Sequence, residues 1–180
     1  MLNRLQQKYL EEIQSKLMTE FNIVNKMAAP KLSKIIISIG LGEAKEDAGV
    51  LDKASAYMKS LSGQTPVVTV AKKSIASFKV GKGQTVGMMV TLRGDKMYAF
   101  LDKFINIVLP KVRDFRGLSV KSFDAQGNLN IGMREQTIFP EVDYKDVDKV
   151  RGLAVTIVTD AKSREQGQKL LEYLGLPFRS

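Results

Sequence analysis

The sequence predicts an α+β fold: a mainly antiparallel sheet with helices packed on one face, ferredoxin-like in outline, with a long basic hairpin loop. Three observations predict it. The runs VVTV (Val67–Val70) and VGMMVTL (86–92) are rich in β-branched and apolar residues and flank a polar loop, so they read as a hairpin. KIIISIG (34–40) and LAVTIVT (Leu153–Thr159) supply two more strands. Segments with helical apolar spacing lie between these runs, and strands separated in this way by helices build an α+β sandwich. The 180 residues fit one domain spanning 1–180, with an N-terminal helix over 1–22 packed on it.

Taken in order, Leu5, Tyr9, Ile13 and Leu17 recur at helical spacing and predict an amphipathic helix over 2–21. Pro30 separates it from the first strand, where Ile35, Ile37 and Ile39 share one face and Ile36 and Ser38 the other. A Gly40-Leu41-Gly42 turn leads to a helix over 44–61 with Leu51, Ala54, Met58 and Leu61 on one stripe, ended by Gly63. In the return strand of the hairpin, Val86, Met88, Val90 and Leu92 point to the core. Gly87, Met89, Thr91 and Arg93 point away, and a glycine and two polar side chains on that face suit contact with something other than core. Asp95 is the expected N-cap of a helix through Tyr98, Leu101, Phe104, Ile105 and Val108, stopped by Pro110. An irregular stretch with turns at Arg116-Gly117 and Gly127-Asn128 follows, with a short strand expected at 128–133. After Leu153–Thr159, a last helix over 161–174 is closed by Gly175 and Pro177.

Charge narrows the function. The formal net charge is +9, which speaks of an anionic partner. Between Asp52 and Asp95 there is no acid, but seven bases: Lys53, Lys59, Lys72, Lys73, Lys79, Lys82 and Arg93. Solvated faces normally mix signs. The loop over 71–85 joins positive charge, Gly81, Gly83 and one aromatic, Phe78, which suits a phosphate-rich partner. Glycine and like charge oppose packing, so that loop is expected to lack structure of its own and to be disordered away from its partner. Lys111, Arg113, Arg116 and Lys121 form a second basic patch with only Asp114 inside it. Neither a helix-turn-helix nor the paired aromatics of an RNA-recognition sheet is evident, so recognition would rest on backbone and shape.

Catalytic readings are weaker. The chain has no cysteine and no histidine, which removes thiol nucleophiles, zinc-thiolate sites and the commonest general base. Gly40-Leu41-Gly42 lacks the third glycine of a dinucleotide fingerprint, Lys45 standing there, and Gly81-Lys82-Gly83 lacks the rest of a phosphate-binding P-loop. Glu43, Glu46 and Asp47 would favour a helix dipole before they would serve as a metal or acid/base group. Asp143, Asp146 and Asp148 are expected to face solvent. The competing readings are a non-specific nucleic-acid-binding protein and a small enzyme acting on an anionic substrate, with Glu43 and Glu46 as acid/base groups and Lys72 or Lys73 as a phosphate clamp. No apolar run reaches the 18 residues of a membrane span, and the N-terminus has no signal-peptide core, so a cytosolic protein is expected.

A series of blocks carries a family resemblance: LMTEFN (17–22), GLGEA (40–44), SGQTP (62–66), AKKSIASFKV (71–80), VTLRG (90–94), RDFRGLS (113–119), then KSFD, GN, REQTIFPEVDY, VRGL and LPFRS. In this order, over nearly the whole chain, they resemble the family of bacterial large-subunit ribosomal protein number five, the 5S rRNA-binding protein of the central protuberance. The resemblance implies a cytoplasmic, ribosomal scaffold and not an enzyme, with no cofactor, metal, membrane or small-molecule substrate. It implies 5S rRNA, 23S rRNA, the P-site tRNA, a small-subunit head protein at an intersubunit bridge and other central-protuberance proteins as partners. Carried over by position, Ser38, Gln64, Thr91 and Arg93 would contact 5S rRNA, and Lys72, Lys73, Ser74, Phe78, Lys79 and Lys82 would form the tRNA-facing loop. The chain departs from the family at Ser38, usually Asn, at Lys72 in Lys72-Lys73-Ser74, usually Arg, and at Gly81, usually Arg. Lysine in place of arginine gives up a bidentate phosphate fork.

Overall fold

A computed structural model describes residues 3–45, 49–142, 147 and 149–179. The strands are β1 (Leu32–Gly40), β2 (Val67–Val70), β3 (Thr85–Leu92), β4 (Leu129–Met133) and β5 (Leu153–Thr159). They form one five-stranded antiparallel sheet in the order β2-β3-β1-β5-β4. The helices are α1 (Arg4–Lys8, Tyr9–Ile13 and Gln14–Glu20 in continuous succession), α2 (Gly49–Ser62), α3 (Gly94–Lys103, Phe104–Val108 and Leu109–Lys111) and α4 (Arg164–Leu174). The α+β class with an antiparallel sheet is therefore the one observed.

The chain divides into two compact units, the first over Met1–Ile35, Leu92–Ile131 and Thr156–Ser180, the second over Ile36–Thr91 and Gly132–Val155. In the first, α1 packs against α3 and α4. Its buried stripe is Leu5, Tyr9, Ile13 and Leu17, as the spacing predicts. A strict four-residue repeat drifts by about 40° per step on a helix of 3.6 residues per turn. The wider π turn over Tyr9–Ile13 counters that drift and keeps all four side chains on one stripe. The buried Tyr9 hydroxyl donates to the Pro30 carbonyl at 2.9 Å, and burial raises its pKa to about 12. Arg4 pairs with Asp102, and Tyr173 and Lys169 both reach Glu20.

In the second unit, Ile37 and Ile39 of β1 and Met88 and Val90 of β3 are buried with Ala54, Met58 and Leu61 of α2. Gly87 is required by a close approach: a Cβ there would collide with the Ile39 carbonyl oxygen. Gly63 caps α2 at φ +64°, its N–H donating to the Lys59 carbonyl at 2.8 Å.

Four local expectations are corrected. Residues Gly42–Lys45 form a 3-10 turn, so the second helix, described over Gly49–Ser62, does not begin at residue 44. Helix α3 begins at Gly94, with Arg93 in the N-cap position, so Asp95 sits in the first turn rather than capping it. Pro110 does not stop α3, which runs on to Lys111. A π turn directly before it absorbs the proline: the Leu109 N–H bonds back to Phe104, five residues away. The last helix begins at Arg164, because Ser163 caps it by accepting from the Gln166 N–H at 3.4 Å.

The fifth correction concerns the basic loop, which has structure of its own. Ile75 and Val80 exchange backbone hydrogen bonds of 2.8 and 3.2 Å around a 3-10 turn, with Lys79 left-handed at φ +50°. At its base the Ala71 N–H donates to Gln84 and the Gly83 N–H to Ala71. Side chains complete it: Ser74 Oγ accepts from the Lys82 N–H at 2.9 Å, and Gln84 Oε1 from the Gly81 N–H at 2.7 Å. Polar loop side chains thus supply the backbone bonding that composition alone hides.

Candidate nucleic-acid interface

The alternation of β3 decides which of its side chains can meet a partner. Met88, Val90 and Leu92 are buried; Met89 and Arg93 are exposed and Thr91 is half-buried. On the neighbouring strand β1, Ile35, Ile37 and Ile39 are buried, leaving Ile36 and Ser38 half-exposed on the other side. From Met88 to Arg93 the parity read from the sequence is the parity observed; before it, Val86 is only half-buried and Gly87 is buried against β1. Val67 pairs with Met89, and Thr69 with Gly87, so they extend this outward side onto the edge strand β2.

Gln64 joins this surface from the end of α2. Its exposed side-chain amide donates to the Thr91 carbonyl at 3.4 Å. Its backbone is held by Ser62, whose hydroxyl donates to the Gln64 and Met58 carbonyls and accepts from the Gln64 N–H. The structure therefore brings Gln64 and Thr91 together. Ser38 stands on the adjoining strand. Arg93, where the chain leaves β3 for α3, lies in the first unit; it is exposed and has no ion-pair partner among the described residues.

The loop residues Lys72, Lys73, Ser74, Phe78, Lys79 and Lys82 are all exposed, Phe78 at 71%. Lys72, Lys73 and Lys82 make no ion pair among the described residues. Held on a hydrogen-bonded loop, these ammonium groups have no acid of their own to answer and are open to an external anion.

The acidic candidates have another use. Glu43 accepts from Lys149 and, at 3.3 Å, from Arg151. The hydrogen bond from Lys149 first, and that from Arg151 second, hold its carboxyl below the ordinary glutamate value. Fully buried Gln136 backs this clasp: its amide donates to the Lys149 carbonyl at 2.7 Å and its carbonyl oxygen accepts from the Arg151 N–H. Sequence reasoning missed Gln136, because a lone glutamine in a polar segment carries no signal of burial. Glu43 is thus occupied structurally, while Glu46, Asp47, Asp143, Asp146 and Asp148 lie outside the described residues. Among the described residues no group of three acids could hold a metal ion, and no helix is long and apolar enough to cross a membrane.

An outward strand face that sets Ser38, Thr91 and Gln64 among Ile36, Val67 and Met89, unanswered cations on a braced loop, and an acid spent on an internal ion pair fit a class: a basic α+β protein with surfaces open to an anionic partner. Comparison with known proteins narrows the class to a family. Residues 25–80 match the model described as ribosomal protein L5, and residues 85–178 that of the ribosomal L5P family C-terminus. Large ribosomal subunit protein uL5 of Carboxydothermus hydrogenoformans is 55% identical over 97% of this chain and 98% of its own. The proteins of that name from Anaeromyxobacter sp. strain Fw109-5 and Geotalea daltonii are 50% and 52% identical, over 99% and 98% of this chain and 99% of their own. The chain belongs to the ribosomal protein L5 family, a structural constituent of the large ribosomal subunit and not an enzyme.

Proposed function

We propose that this chain binds 5S rRNA through the outward side of β1 and β3 and helps attach it to the large subunit in the central protuberance. Residues 1–180 act in this reading as one RNA-binding domain. The observation that carries it is the placement of Gln64 against Thr91 on the strand face that turns away from the core, with Arg93 following at the same parity. Thr91 and Ser38 supply hydroxyls, Gln64 an amide and Arg93 a guanidinium fork. Most of the affinity comes from phosphate neutralisation, and the polar side chains set the position.

The braced loop, with Lys72, Lys73, Ser74, Phe78, Lys79 and Lys82, faces the elbow of the P-site tRNA in this reading. Its exposed ring offers a stacking surface beside lysines that act as point charges. 23S rRNA, a small-subunit head protein across an intersubunit bridge and other central-protuberance proteins complete the partners.

Competition tests this directly. Labelled 5S rRNA bound to the chain is challenged with excess tRNA and excess duplex DNA. Retention of 5S rRNA against both, lost in Gln64→Ala and Arg93→Ala, is the expected result. Displacement by tRNA and duplex DNA as ready as by unlabelled 5S rRNA would leave a non-specific basic protein instead.

A further inference from the structure

The two edges of the sheet differ. At the β4 edge the apolar side chains of Leu129, Ile131 and Met133 are all buried, and Asn130 accepts from the Thr156 hydroxyl at 3.0 Å. At the β2 edge all three valines are exposed: Val67 at 63%, Val68 at 44% and Val70 at 53%. Val67 and Val68 point to opposite faces of the sheet, so neither face of β2 is covered. Among the described residues no strand pairs with its outer side. Proteins commonly blunt such an edge with a charge, a proline or a bulge. Val67–Val70 carries neither charge nor proline. The pairing with β3 does have an irregularity, but Thr69 faces Gly87 and Val70 faces Thr85, so the extra residue, Val86, sits in β3. The outer side of β2 stays regular.

An uncharged, regular, two-sided apolar edge takes another strand. The flanking charges say how a second copy of the chain would fit. Lys72 and Lys73 follow the strand, whereas Gly63, Gln64 and Thr65 before it carry no charge. A parallel copy would set each lysine against its own counterpart, and like charges directly opposite are destabilising. An antiparallel copy turned about Val68 avoids this. Val68 then meets Val68, Val67 meets Thr69, and Lys72 and Lys73 run alongside Gln64 and Gly63 of the second copy. The turn also keeps the core side of one sheet level with the core side of the other, so valines are covered on both faces.

We propose that the RNA-free chain forms a reversible two-fold dimer in which β2 pairs antiparallel with β2 of a second copy, joining two five-stranded sheets edge to edge. The dimer forms from the free chain and needs no RNA. Only four strand residues meet on each side, and a contact this short suits weak association. The pairing consumes the open edge of both copies, so growth closes at two. Each copy carries a net charge of +9, so the copies repel, and added salt tightens the dimer by screening that repulsion. Binding to phosphate has the opposite salt dependence.

Sedimentation equilibrium of the full chain, nuclease-treated and free of RNA, tests this over about 10 to 500 µM at low and at high salt. A monomer–dimer equilibrium is expected, several-fold tighter at high salt. Val68→Lys sets two like charges at the two-fold axis and should weaken the dimer about tenfold, with a thermal melt matching wild type to show that the variant folds. A second measurement needs no variant: in the wild type, those amides of 67–70 that β3 leaves free should exchange more slowly as protein concentration rises. A monomer throughout, open-ended growth, or a dimer that Val68→Lys leaves unchanged would each overturn the proposal. So would association that weakens with salt, which marks copies bridged by residual RNA, or amide exchange at 67–70 that ignores concentration.

Discussion

At the residue scale, two side-chain positions show how small a change the structure tolerates. Gly87 sits where a methyl group would strike the Ile39 carbonyl, and backbone cannot yield as a flexible side chain can. Gly87→Ala should destabilise the fold by about 2–3 kcal/mol, read as a lower denaturant midpoint; an unchanged midpoint would show that β1 and β3 stand further apart. Tyr9 makes the opposite kind of demand, for a neutral hydroxyl. Its pKa is raised to about 12, first by burial and then by the charges of Tyr98 and Asp160. A raised folded pKa means that its contribution is complete below the unfolded value of about 10 and lost as pH climbs towards 12. Tyr9 should therefore ionise late in an ultraviolet titration, alongside Tyr98, raised by burial, and Tyr173, raised by its hydrogen bond to Glu20. Tyr9→Phe should take one tyrosine's amplitude out of the late phase and cost about 1–2 kcal/mol by stranding the Pro30 carbonyl. A late amplitude unchanged by the substitution would assign it elsewhere.

At the scale of elements, legibility followed periodicity. Strand β5 has the bounds that LAVTIVT predicts, because alternating burial repeats through all seven of its residues. The four-residue stripe of α1 was equally plain, although the π turn that preserves it was not; no residue type marks such a turn. Pro110 misled for the same reason, since the π turn over Phe104–Val108 that precedes it is marked by no residue type either. The basic loop was misread because its bracing is side-chain-specific. Ser74 and Gln84 look like solvated polar residues until their partners, the N–H groups of Lys82 and Gly81, are placed. Its ladder makes a prediction: amide exchange at Ile75, Val80 and Gly83 should be slower than at Lys72 and Lys73 in the free protein. Uniformly fast exchange across 71–85 would return the loop to disorder. Of the interface, the strand parity was legible and the clasp on Glu43 was not, since Lys149 and Arg151 lie more than a hundred residues away from it in sequence.

At the scale of the whole molecule, net charge chose the partner class before any geometry was known. A charge of +9 with no histidine or cysteine left little room for ordinary acid–base or thiol chemistry. Composition alone could not separate non-specific from specific binding, because both rest on phosphate neutralisation. Family membership removes the enzyme alternative and places the chain in the large ribosomal subunit. What remains is whether the outward strand face selects one RNA. The most direct measurement is a salt titration of 5S rRNA binding for wild type and Arg93→Ala, with tRNA and duplex DNA titrated alongside. With about seven phosphates neutralised, log K for 5S rRNA should fall against log salt with a slope of roughly −5 to −6. Arg93→Ala should make that slope shallower by about 1 and erase much of the preference over the other two nucleic acids. Identical slopes and affinities for all three, unmoved by Arg93→Ala, would contradict the account and leave a basic surface without a chosen partner.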